Sequence, residues 1–334
     1  MKDKIKIGIV DTGIYSQHPY FKGKIEGIYE YRQGKLLSFS LDTCNDMNGH
    51  GTACTSVILK ECPNAQIYVY KLLDERGEAN LLSLEQILLS LLDSKIDVIN
   101  LSLAITEPII APNLKKICKE ITSQNKFLVA ALGNDRKKSI PSVYSHCYGV
   151  KGSILNHLDE IWFNKYKRTQ CIVDNTPYLH CDVSGQYQMF GKSNSYAVAK
   201  MTGIIAYVLE ENGRISLDQM NRKLYEIADK KIWLSKSLKR SRRYPDLKKY
   251  KGKYEINYLK EIEEVVQRYL DKKINLQGEF LFSHKIGLTY DLCYGLLKQL
   301  EQTLNFITVN YTEISREDFY TIEHLAHMIK RQME

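Results

Sequence analysis

No stretch of this chain approaches the ~18 consecutive apolar residues that a membrane-spanning helix needs, so a membrane-embedded protein is not expected. The N-terminus offers no apolar export core either. Met1-Lys2-Asp3-Lys4 runs straight into a strand-like segment. A cytoplasmic location is therefore expected. The eight cysteines, at 44, 54, 62, 118, 147, 171, 181 and 293, lack Cys-x-x-Cys spacing. Without an export signal they read as reduced thiols rather than as disulfides. Use of Cys171, His180 and Cys181 as zinc ligands stays open as an alternative; the expectation is no metal and no cofactor. Charge of one sign is not spread over the chain. The formal net charge is +8, and residues 230–253 carry much of the excess, so nucleic acid is not an expected partner.

What is present is an ordinary globular composition, 44% hydrophobic and 26% charged, over a 334-residue length that suits two domains. Strands are predicted at residues 4–10, 66–73, 96–103 and 126–132. Helices are predicted at 81–93, whose apolar positions repeat at helical spacing, and at 113–124, just after Pro112. This alternation implies a parallel sheet covered by helices on both faces. Sites in such sheets gather at the carboxyl ends of the strands. Residues 14–47 are loop-rich, with short strands expected at 25–31 and 35–40. Residues 140–190 read as a smaller β-part with strands at 147–152, 160–163, 170–173 and 178–183.

Four stretches carry chemistry. Lys6 to Gly13 is a short apolar strand that ends in Asp11-Thr12-Gly13. Asn48-Gly49-His50-Gly51-Thr52 sets a glycine-flanked histidine at a helix start. Phe127 to Asn134 is an apolar strand that ends in an amide. Phe190 to Gly203 places Ser193-Asn194-Ser195 at the head of a long apolar helix that reaches about residue 211. A serine there is either an N-cap on a core helix or a nucleophile beside N–H groups that can face an oxyanion. Each polar residue sits at a strand end or a helix start, in the order Asp, His, Ser.

These stretches resemble the signatures of the subtilisin-like serine peptidases, over residues 1–232. Asp-Thr-Gly and His-Gly-Thr match the family pattern as written, and the Asp, His, Ser order is the subtilisin order. The serine segment is looser. Ser193-Asn194 stands where the family has Gly-Thr, and Ala199 stands where it has proline. The spacing of eight residues to Gly203 selects Ser195 over Ser193. The resemblance implies Asp11, His50 and Ser195 as a catalytic triad and Asn134 as an oxyanion donor. It also implies a substrate strand at Leu101-Ser102-Leu103, with Ala131 and Gly133 across the cleft and Ala104 where the family often has glycine.

Residues 233–254 read as a basic linker marked by one proline and one glycine. Residues 255–334 read as a small helical bundle, with helices at 256–272, 290–304 and 321–332 and a turn at 315–319. The spacing and the closing phrase from Glu317 to Ile329 resemble an acyl or peptidyl carrier protein. Tyr290 or a neighbour occupies the place of that family's phosphopantetheine-bearing serine. The alternative is an unrelated bundle. The fold class expected is thus α/β, a subtilisin-like parallel sheet with helices on both faces, plus a C-terminal helical bundle. The function expected is that of an intracellular serine endopeptidase that processes a precursor peptide, with a biosynthetic partner docking on the C-terminal unit. An inactive peptide-binding protein and a carrier-linked acyltransferase are the competing classes.

Overall fold

A computed structural model describes residues 4–105 apart from 33 and 43, residues 110–133 and 139–240, and residues 256–333 apart from 274, 276 and 277. The centre of the first unit is β1 (Lys6–Asp11), whose run of Ile, Gly and Val is buried from Ile7 onward. A strand buried on both faces needs a continuous apolar run rather than an alternating one. It pairs in parallel with β4 (Gln66–Lys71) on one side and β5 (Val98–Leu101) on the other. Outward from β4 lie β2 (Ile25–Arg32) and β3 (Lys35–Phe39). Outward from β5 lie β6 (Phe127–Ala131), β7 (Tyr148–Ser153), β9 (Cys171–Asp174) and β8 (Ile161–Phe163). The strand order is β3-β2-β4-β1-β5-β6-β7-β9-β8, and only the two edge strands, β3 and β8, are antiparallel to their neighbours.

Helices cover both faces. α2 (Leu81–Leu92) and α3 (Pro112–Ser123) bury Leu84, Ile87, Leu88, Leu114 and Ile121 against Val10, Ile99 and Leu128. α2 begins where the Asn80 side chain accepts from Ser83 N at 2.8 Å, and α3 begins with Pro112 in its first turn. On the opposite face α1 (His50–Glu61) packs along α4 (Asn194–Asn212). Gly203 makes that approach possible: a Cβ there would meet Glu61 Cβ at 2.5 Å and the Ile58 carbonyl at 2.8 Å. α5 (Leu217–Ile227) follows behind a capping box formed by Ser216 and Gln219. The residues expected to open the linker instead form a short helix, α6 (Ser235–Arg240). The rest of that stretch, 241–254, lies outside the described residues.

The second unit contains α7 (Ile256–Tyr269), α8 (Leu292–Leu304) and α9 (Ile322–Met333), with a 3-10 turn at Arg316–Phe319. It is not made of C-terminal residues alone. β10 (Tyr178–Cys181) and β11 (Tyr187–Phe190) form a two-stranded sheet, and residues 176–180 and 187–190 cluster with the helices. Leu179 and Met189 are buried in one core with Ile262, Val266, Leu296 and Leu325. The division therefore departs from the boundaries expected at 232 and 254: two short internal segments belong with the helical unit. Among the described residues no helix is long and apolar enough to cross a membrane.

Candidate active site

Asp11 is the last residue of β1 and is fully buried. Its Oδ1 accepts from Thr12 N at 2.8 Å and lies 2.7 Å from His50 Nδ1. His50 opens α1 and is partly exposed, so one face of the ring is held by the carboxylate while the ring stays open to a ligand. Burial works to lower the His50 pKa. The Asp11 charge and the Cys54 sulfur more than reverse that, so the pKa is raised. The Cys54 Sγ packs against the ring, 3.8 Å from Nδ1 and 3.9 Å from Nε2. Asp11, His50 and Cys54 bring three ligand-type atoms within 4.8 Å of one another. Among the described residues this is the one group that could hold a metal ion. The short Asp–His hydrogen bond is what two of those atoms already make.

A residue missed in the sequence holds this pair together. Asp46 is 1% exposed and accepts five hydrogen bonds. Oδ1 takes Thr12 Oγ1 at 2.8 Å, Gly49 N at 2.8 Å and Asn48 N at 3.1 Å. Oδ2 takes Thr52 N at 2.9 Å and Thr52 Oγ1 at 2.6 Å. One carboxylate thereby clamps the turn after Asp11 to the first turn of the helix that carries His50. It also compensates the N–H groups left unpaired at a helix start. Thr12 Oγ1 accepts in turn from Gly51 N at 2.9 Å. Gly51 can hold no side chain, because a Cβ would lie 2.2 Å from the Gly13 carbonyl. The signal in the sequence was an Asp followed two and three residues later by Asn-Gly, a pattern suited to local side-chain-to-backbone bonds.

Ser195 is the second residue of α4, and the two candidate serines separate cleanly. Ser193 is the N-cap and accepts from Tyr196 N at 3.0 Å. Ser195 instead lines a cavity of about 650 Å³ together with His50. Its Oγ donates to the Ser102 carbonyl at 3.1 Å, and Ser102 Oγ returns a bond to the Ser195 carbonyl at 3.3 Å. Asn100 Nδ2 donates to Ser102 Oγ at 2.9 Å and its Oδ1 accepts from Thr202 at 3.0 Å, so β5 is pinned to α4. Asn194, one of the departures from the family pattern, ties the serine turn to two strand ends. It donates to the Leu132 carbonyl at 2.7 Å and accepts from Gly152 N at 2.9 Å.

The residues expected to face substrate divide. Ser102, Leu103 and Ala104 line the cavity, and Ile105 beside them exchanges two 3.1 Å backbone bonds with Ile140. Leu101 does not join them; it is the last residue of β5 and is fully buried in the apolar cluster beneath α2 and α3, whereas 102–104 lie beyond the strand. Ala131 ends β6, and Gly133 N donates to Ser139 Oγ at 2.8 Å; neither lines this cavity. Asn134 lies outside the described residues. The far wall is apolar, formed by Leu72, Leu73, Leu81 and Leu84. Cys171 and Cys181 are buried free thiols.

Residues 2–245 match the model of the Subtilase family. The minor extracellular protease Epr of Bacillus subtilis (strain 168) is 30% identical over 161 residues, which are 45% of this chain and 23% of that protein. The alkaline protease of Alkalihalobacillus alcalophilus is 27% identical over 235 residues, 67% of this chain and 59% of that protein. The chain thus spans less than two thirds of the length of either relative. The crystal structure of a lanthipeptide protease superposes with a TM-score of 0.55 at 18% identity, covering 65% of this chain and 78% of that one. At that identity the likeness concerns the fold.

Proposed function

This chain belongs to the subtilase family, and we propose on that premise that it is a serine endopeptidase acting through Asp11, His50 and Ser195. The observation that carries the reading is the 2.7 Å Asp11–His50 hydrogen bond opening on a cavity that Ser195 also lines. Ser195 Oγ attacks the scissile carbonyl while His50 Nε2 takes its proton. His50 then passes that proton to the leaving amine, and water attacks the acyl-serine with the same base. Asp11 fixes the imidazole tautomer and stabilises the imidazolium. The Ser195 N–H, in the unpaired first turn of α4, and the Asn134 amide receive the oxyanion. Loss of one such donor costs about 3 kcal/mol of transition-state stabilisation.

The substrate we propose is a precursor peptide whose leader is removed. The fold likeness to a lanthipeptide protease supports this reading, as does the unit of helices joined to the peptidase fold. That unit is a degenerate carrier-like module that recruits the precursor or a biosynthetic partner. Tyr290, its ring packed edge-on to Phe282, or a neighbour stands at the modification position, which leaves no serine to load. Incubation with a phosphopantetheinyl transferase and coenzyme A should add no mass.

A fluorophosphonate probe tests the chemistry. It should label the wild-type chain and Ser193→Ala but not Ser195→Ala. No labelling of the wild type would favour a peptide-binding protein, and transfer of the acyl group to an amine rather than to water would favour an acyltransferase. Peptides trapped by Ser195→Ala and identified by mass spectrometry name the substrate.

A further inference from the structure

The cavity beside Ser195 is walled by leucines, yet one of its residues is anionic. Among the described residues that line it, Glu78 is the one carboxylate, and no Lys or Arg accompanies it. Glu78 is exposed, and among the described residues no hydrogen bond or ion pair engages its carboxylate. Its position is nonetheless built. Asp74 N donates to the Glu78 carbonyl at 3.0 Å, and Asp74 Oδ1 accepts from Glu78 N and Arg76 N, both at 2.9 Å. Gly77, with φ of +77°, lets the turn close. Asn48 Nδ2 donates to the Glu75 carbonyl at 2.8 Å, which ties the loop to the segment that leads into His50. A short loop has been fixed so that a free carboxylate stands on the wall of an apolar cleft.

A side chain that fits both surfaces has an apolar stem and a cationic tip. We propose that Glu78 selects peptide substrates carrying an arginine or lysine whose stem lies along the Leu72, Leu81 and Leu103 wall and whose charge meets the Glu78 carboxylate. The inference rests on the peptidase reading above and adds the substrate class. The neighbouring charges of the loop, Asp74, Glu75 and Arg76, leave it net negative and do not cancel Glu78. Because the pair is exposed to solvent, the selection is moderate and weakens with salt.

The test uses the full chain and paired peptides identical except for arginine or its neutral isostere citrulline, placed at each position in turn on either side of the scissile bond. At one position the arginine peptide should have a kcat/KM about threefold to fivefold above its citrulline partner, as an exposed ion pair allows. Glu78→Gln should bring that ratio near unity, and Glu78→Lys should push it below one. A ratio that survives Glu78→Gln, or no position with an arginine preference, overturns the inference while leaving the peptidase reading intact. Cleavage of none of the peptides by the wild-type chain overturns the peptidase reading and this inference with it.

Discussion

Replacing Ser195 by alanine should lower kcat on the order of a millionfold, whereas Ser193→Ala should cost about 1 kcal/mol of stability through loss of the α4 cap and leave the chemistry in place. Stopped assays and thermal melts on the two variants separate these effects. The pH profile is set by His50, which must be neutral to act as base. Its pKa is raised by Asp11 above the ordinary 6.5, so activity should be lost as pH falls through that raised value, and the acid limb of kcat/KM should lie above 6.5. Asp11→Asn should move the limb toward lower pH and lower kcat together. Asp11, His50 and Ser195 could be picked out in the sequence as a candidate triad because each lies in a short motif at an element boundary. Asp46 could not, since nothing in a lone aspartate reveals how many backbone N–H groups converge on it. Asp46→Asn puts an amide N–H₂ among donors that need an acceptor. It should cost about 3 kcal/mol of stability and reduce kcat more than it changes KM, because the His50 turn is released.

On the proposed mechanism the elements that matter most are α1 and α4, since one carries His50 and the other Ser195. They touch through Gly203, against Glu61 and the Ile58 carbonyl. Gly203→Ala should force the helices apart and displace base from nucleophile. A misplacement of that kind costs about a hundredfold in rate. The measurement is kcat against melting temperature: a fall in kcat on a chain that still folds cooperatively is the expected result, and unchanged kcat would mean that the helices slide without moving the triad. The strands and helices around this pair could be read from apolar runs and caps, as in Lys6–Asp11 and behind Asn80. What could not be read was where β5 ends and which of the following residues reach the cavity. Leu101 and Leu103 look alike in sequence and, two residues apart, would share one face of a strand, but β5 ends at Leu101, so Leu103 packs against the same apolar cluster and also lines the cavity.

For the whole molecule the test is truncation. Removing residues 256–334 uncovers Leu179 and Met189, which the helices bury. Exposure of those two side chains costs roughly 3–6 kcal/mol, so the truncated chain should melt lower and scatter light, and Leu179→Ala should reproduce part of the loss. If recruitment is the role of the helical unit, a fusion that keeps residues 176–190 covered should still cleave a short peptide while its KM for the precursor rises. The three helices of the helical unit were predicted from the sequence, but their sharing a core with a distant hairpin was not. Residues 178–183 read as an ordinary strand of the β-part and Tyr187–Phe190 carried no strand prediction at all, and no local signal tells a strand which unit will claim it.

That claim makes synthesis order matter. The hairpin stands only a few residues before the turn that presents Ser195, yet the helices that cover its apolar side come off the ribosome later, beginning at Ile256. At roughly 5–20 residues per second this leaves an interval of several seconds in which the hairpin has no cover. A nascent chain stalled at residue 240 should therefore carry every triad residue and still be sensitive to added protease around residues 176–190, becoming resistant once α9 has emerged. Translation itself would then act as a clock on the chain, delaying a settled hairpin until the helices that bury it have been made.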